Sequence, residues 1–96
     1  MNEIKLSGHV RNIYMNYKTD ALVAELYVYH DHVVGKQSLP CKSLFTVVMT
    51  DYSKMQNVEV QKDDDAVVTG YLKEDFTPSQ HRKYTIYATS IERRIA

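Results

Sequence analysis

Near its start the chain alternates apolar and polar residues. Ile4, Leu6, Gly8 and Val10 are separated by Lys5, Ser7, His9 and Arg11. A period of two puts the apolar set on one face of a half-buried strand. Gly8 within that run predicts a bulge or sharp bend, the device that curls a strand around a barrel corner. Polar residues from Asn16 to Asp20 break the pattern, and a second strand is predicted from about Leu22 to His30. Leu22, Ala24, Leu26 and Val28 fall on one of its faces; Val23, Glu25, Tyr27 and Tyr29 fall on the other. The stretch from Asp31 to Cys41, with Gly35 and Pro40, reads as a hairpin loop too long for a tight turn. A third strand follows from Leu44 to Thr50, with Phe45, Val47 and Met49 toward the core. Tyr52 to Asn57 has room for one helical turn, and no longer helical periodicity occurs. Lys62 to Asp65 is a turn. Ala66 to Leu72 is a fourth strand with Gly70 as a second bend, Asp75 to Gln80 a loop around Pro78, and Lys83 to Ile91 a fifth strand.

Five short strands, with at most one short helix between the third and fourth, predict an all-β, five-stranded Greek-key barrel of the OB type. A β-sandwich calls for roughly seven strands. At 96 residues the chain makes one domain, residues 1–96, with a single core. That shortage of buried surface makes assembly with further copies a natural expectation. Twelve Lys and Arg balance twelve Asp and Glu. The neutral total argues against wrapping duplex DNA or a polybasic membrane arm, but leaves room for a local basic groove. Cys41 is the only cysteine, which excludes an intrachain disulfide and a cysteine-rich zinc site and suits a reducing cytoplasm. The opening residues carry no secretory signal pattern, and no apolar run approaches the ~20 residues of a membrane span. A cytoplasmic protein that does not engage membranes is expected.

The ordered set of strands resembles the bacterial single-stranded DNA-binding protein superfamily, including primosomal replication protein N. Asn2-Glu3-Ile4-Lys5-Leu6-Ser7-Gly8-His9-Val10 resembles the family's first strand, and Val23-Ala24-Glu25-Leu26-Tyr27-Val28 its second. Leu44-Phe45-Thr46-Val47-Val48-Met49 sits where the third strand falls. Ala66-Val67-Val68-Thr69-Gly70-Tyr71-Leu72 is similar to the fourth, which ends in Gly-x-Leu, and Arg82-Lys83-Tyr84-Thr85 to the beginning of the last. The likeness covers nearly the whole chain in order. Departures from the pattern are Lys62-Asp63-Asp64-Asp65 where the family usually has Lys-Gly-Asp, the absence of tryptophan, and no linker or acidic tail before Ala96. A tail-less, accessory, plasmid or phage relative fits these departures better than a general replication hub.

The resemblance implies sequence-tolerant binding of single-stranded DNA, with RNA not distinguished. The settings it suggests are replication, recombination or plasmid and phage maintenance. The protein would act as a homodimer or homotetramer beside replication proteins. Such binding needs flat aromatic faces spaced along a groove, with cations for the phosphates. Tyr27 and Tyr29 lie on the outer face of the second strand, where OB barrels bind their ligands; a subunit interface is the competing role. Phe76, placed in the loop after the fourth strand, is either a stacking ring or a plug for the barrel end. Tyr14 and Tyr17 flank the first loop with Arg11 and Lys18 nearby, although Tyr14 also suits a core cap. Tyr84 is expected to be partly buried, and Tyr71 and Tyr87 to be interface residues at most. Lys36, Lys42, Lys73, Arg82 and Lys83 rim the two long hairpins and suit phosphates as a group, though each alone is an ordinary solvated side chain.

His30, Asp31, His32 and Cys41 are candidate metal ligands, with the two histidines at i and i+2 on one strand face. Without a second cysteine or paired motif, solvated loop histidines describe them better, and neither a metal nor a cofactor is expected. The Asp63–Asp65 run is read as a turn with no basic partner. No phosphate loop or nucleophile motif is present, so an enzyme is not expected. The alternative function is an OB-type protein–protein module in a replication or recombination complex.

Overall fold

A computed structural model describes residues 2–76 and 82–94; side chains 31–34, 75, 76, 82 and 83 are not described. The elements are β1 (Ile4–Asn16), β2 (Ala21–Val34), β3 (Gln37–Met49), α1 (Tyr52–Met55), β4 (Asp65–Phe76) and β5 (Arg82–Arg93). They form a closed barrel in the order β1-β2-β3-β5-β4, with β4 returning to β1. All neighbours are antiparallel except β3 and β5, which run parallel at Val47↔Ile86 and Val48↔Tyr87. This is the expected five-stranded Greek-key OB barrel, with its short helix between the third and fourth strands.

Alternation along the strands builds the core. Val10, Ala24, Leu26, Val47, Met49 and Val68 are essentially inaccessible and point inward. Burying one such aliphatic side chain stabilises the fold by about 1.5–3 kcal/mol. Phe45 and Leu22 pack against this cluster from partly buried positions. Met55, Val58 and the buried Val60 add to it from α1 and the segment after it. Asp51 caps α1, its carboxylate accepting from the Ser53 N–H at 3.1 Å and the Ser53 hydroxyl at 2.7 Å. The Ser53 hydroxyl contributes most to holding the Asp51 carboxyl below its ordinary pKa.

Two bulges shape the barrel. The β1–β2 register shifts between Val10 and Asn12, so the extra residue is Arg11 rather than the neighbourhood of Gly8. Gly8 serves close approach instead: a Cβ there would lie 2.6 Å from the Tyr27 carbonyl oxygen. The bend expected in β4 at Gly70 falls instead on the facing strand: Thr69 pairs with Ser90 and Gly70 with Ala88, so the extra residue is Thr89 of β5.

The turn before β4 is tied to β1. The Val10 N–H donates to the Asp64 carbonyl, and the Asp63 N–H donates to the Val10 carbonyl, each at 2.8 Å. Asp63 and Asp65 were expected to lack a basic partner. Instead His9, projecting from β1, sets its two ring nitrogens 3.5 Å from one carboxylate oxygen of each.

The hairpins are longer than the sequence suggests. The segment read as a loop, Asp31 to Cys41, is mostly strand, paired from Tyr29↔Lys42 out to Val34↔Gln37. Only Gly35 and Lys36 form its turn, with Gly35 at φ 61°. Pro40, opposite Asp31, is tolerated because β3 pairs with β5 only at Val47 and Val48, leaving this part of β3 an edge. β4 likewise continues to Phe76, which pairs with Arg82. Two ribbons, β2–β3 and β4–β5, therefore extend beyond the closed wall.

Candidate nucleic-acid interface

The period of two carries one side-chain row from the barrel onto the β2–β3 ribbon. His9 of β1, Tyr27 of β2 and Leu44 of β3 are register partners across three strands. The next pair along the ribbon on that face is Tyr29 and Lys42. The Tyr29 ring is 67% exposed, whereas Tyr27 is half-buried. Their difference has a local cause. The Lys42 ammonium lies 4.3 Å from the Tyr27 ring centroid and the Arg11 guanidinium 5.8 Å from it, both within cation–π range. Bulges re-aim the residue they add, and Arg11 is the added residue of β1. Its guanidinium also stands 3.9 Å from the Glu25 carboxylate, which partly offsets its charge. Two tyrosines, an arginine and a lysine thus share one patch.

The other expected residues are dispersed. Tyr14, on β1 opposite Val23, and Tyr17, in the β1–β2 turn and 83% exposed, sit toward the far end of the β1–β2 hairpin. Lys36 is exposed in the ribbon turn, away from both platform rings along the strands. Lys73 is on β4 rather than in a loop, with its ammonium 5.2 Å from the Tyr87 centroid. Phe76 is expected in a loop, Arg82 beside it, and Lys83 at the start of the fifth strand, where it falls. The backbone of Phe76 continues β4 and pairs with Arg82, and Lys83 pairs with Asp75; the side chains of all three lie outside the described residues.

Three features escaped the sequence reading. Arg11 lies near the first loop in sequence, but its place over Tyr27 depends on a bulge that no glycine marks. Tyr71 and Tyr87, direct cross-strand partners, stack with centroids 5.6 Å apart and planes 13° from parallel. Their register runs unbroken from Phe76↔Arg82 to Tyr71↔Tyr87, and reading Asp75 to Gln80 as a loop hid it. Tyr84 is 61% exposed rather than partly buried, because it faces Glu74 on the part of the ribbon that has left the barrel.

His30 Nε2 is 2.8 Å from the Ser43 hydroxyl, and His30 lies opposite Cys41; the Asp31 and His32 side chains are outside the described residues. Among the described residues no group of three His, Cys, Asp or Glu is disposed to hold a metal ion. No described helix is long and apolar enough to cross a membrane.

This architecture defines an OB barrel with two projecting ribbons, the fold of single-stranded DNA-binding proteins. No protein-family model matches the chain, and no curated protein matches it by sequence. Solved structures do. The single-stranded DNA-binding protein of Plasmodium falciparum, determined in complex with ssDNA, superposes with a TM-score of 0.73 at 14% identity, covering 99% of this chain and 96% of that one. A small single-stranded DNA-binding protein from Mycoplasma pneumoniae gives 0.64 at 12%, covering 95% and 91% respectively. Its counterpart from Streptomyces coelicolor gives 0.63 at 16%, covering 97% and 94%. At these identities the likeness is one of fold.

Proposed function

We propose that this protein binds single-stranded DNA without sequence preference, bases stacking on the β2–β3 ribbon while neighbouring cations meet the phosphates. The observation that carries the proposal is the Tyr27–Tyr29 platform. An exposed ring and a half-buried ring share one face, with Lys42 and Arg11 against the second. Stacking is sequence-tolerant because every base has a π-face, and each stacked base contributes about 1–3 kcal/mol. An unpaired strand offers those faces, whereas a duplex keeps them inside its own stack. The ssDNA complex of the Plasmodium falciparum neighbour supports the same ligand for a barrel of this shape. Such binding serves wherever duplex is opened, in replication, in recombination, or in the upkeep of a plasmid or phage genome.

The test is a titration of fluorescein-labelled 35-mer oligo-dT followed by anisotropy at low salt, with a duplex of equal length as control. Saturable binding of the single strand and weak binding of the duplex are expected. No anisotropy change with oligo-dT at low salt would remove the proposal.

A further inference from the structure

A groove of about 300 Å³ lies on the outer barrel wall, away from the ribbon platform. Val23 and Val48, register partners on β2 and β3, contribute to it together with Thr85 of β5. The β1–β2 turn borders it through Asn16 and Thr19, and Tyr87 borders it from β5. Tyr87 is in turn half of the stacked pair with Tyr71, which is 42% exposed, and the Lys73 ammonium sits against the Tyr87 ring. None of the described residues lining the groove carries a charge.

We infer that this groove is a second base-binding station, taking one unpaired nucleobase whose neighbour stacks on Tyr71. The inference rests on the proposed single-strand binding and adds to it a path across the barrel wall. Three properties favour a base over another occupant. The volume is at the lower end of the range for small-ligand sites, which suits a single ring system better than a peptide helix. Valine methyls and a tyrosine ring offer apolar surface, while the Asn16 side chain and the Thr19 hydroxyl can meet base edges. Lys73 places positive charge beside the aromatic pair, matching a phosphate that travels with the stacked base.

The protein is tested with Tyr71→Ala, which removes the outer ring of the stack, and with Thr19→Glu, which adds a carboxylate at an exposed turn position and leaves the stack intact. Each variant is checked for folding by circular dichroism and for assembly by sedimentation velocity. Loss of affinity for 35-mer oligo-dT by about five- to a hundredfold in Tyr71→Ala, with a loss in the same direction in Thr19→Glu, is expected. Photocross-linking of oligo-dT carrying 5-iodouracil should also mark peptides containing Tyr71 or Tyr87. Unchanged affinity in both folded variants, with cross-links confined to the β2–β3 ribbon, would overturn the second station while leaving the proposed function intact. A shift of Tyr71→Ala to a smaller assembly without loss of affinity would assign the aromatic pair to a contact between copies and equally end the inference. Failure of the unaltered protein to bind oligo-dT defeats the underlying function itself.

Discussion

Tyr27 and Tyr29 occupy equivalent alternating positions on β2, yet a base meets them differently. Lys42 covers part of the Tyr27 ring at 4.3 Å, and Arg11 stands against it as well. A base stacking there must displace a cation that already gains about 0.5–1 kcal/mol from the ring at an exposed site. Among the described residues no cation stands over Tyr29, which is 67% exposed. Tyr29→Ala is therefore expected to weaken oligo-dT binding by about fivefold or more, corresponding to roughly 1 kcal/mol or above per lost stack. Tyr27→Ala should cost less, both measured as dissociation constants by anisotropy in one buffer. An equal or larger loss in Tyr27→Ala would mean that Lys42 leaves the ring at no net expense, reversing the ranking. Residue types and strand phase were enough to put both tyrosines on one outer face. Their inequality was not legible, since it depends on where Arg11 and Lys42 come to rest in three dimensions.

At the scale of elements, the barrel strands were readable because apolar alternation is enforced wherever a strand has a core to face. Leu26, Val47 and Val68 each sit where the period of two puts them. The ribbons have no such constraint. Beyond the barrel wall neither face must be apolar, so Asp31 to Cys41 looks like a loop while its backbone continues the ladder. Pro40 strengthened that impression, although an edge strand accommodates proline. Bulges were half legible. Gly70 faces one, whose extra residue is Thr89 of β5, and the strands pass so close there that a side chain at Gly70 would collide with the Tyr87 carbonyl and lie 2.9 Å from the Ala88 Cα. Arg11 marks the other with no glycine at all. Gly70→Ala is accordingly expected to destabilise the fold by about 1–3 kcal/mol, the usual cost of forcing atoms into a packed site. Urea unfolding monitored by circular dichroism reads this as a lower midpoint with a similar slope. An unchanged midpoint would show that the two strands can separate there without loss.

For the whole molecule, a formal charge of zero sets the character of binding more than any single contact does. Long-range steering of a polyanion needs a net positive field, and this protein has only local positive charge set among carboxylates. Glu25 stands beside Arg11, and Asp63 and Asp65 flank His9 on the same wall. Affinity must then come largely from stacking, which releases no counterions, and among the described residues a few cations are placed to meet phosphates. Arg11, Lys42 and Lys73 are those with described positions against aromatic rings. Each phosphate neutralised on a single strand contributes about 0.7 to the slope of log K against log salt, so three contacts give a slope near −2. Raising salt from 50 to 200 mM is then expected to weaken oligo-dT binding only about twentyfold, far short of the thousandfold or greater loss typical of proteins with six to ten phosphate contacts. Anisotropy titrations at four salt concentrations measure the slope directly. A value steeper than about −4 would require cations beyond these three, with the closing end of the β4–β5 ribbon at Arg82 and Lys83 the first place to look.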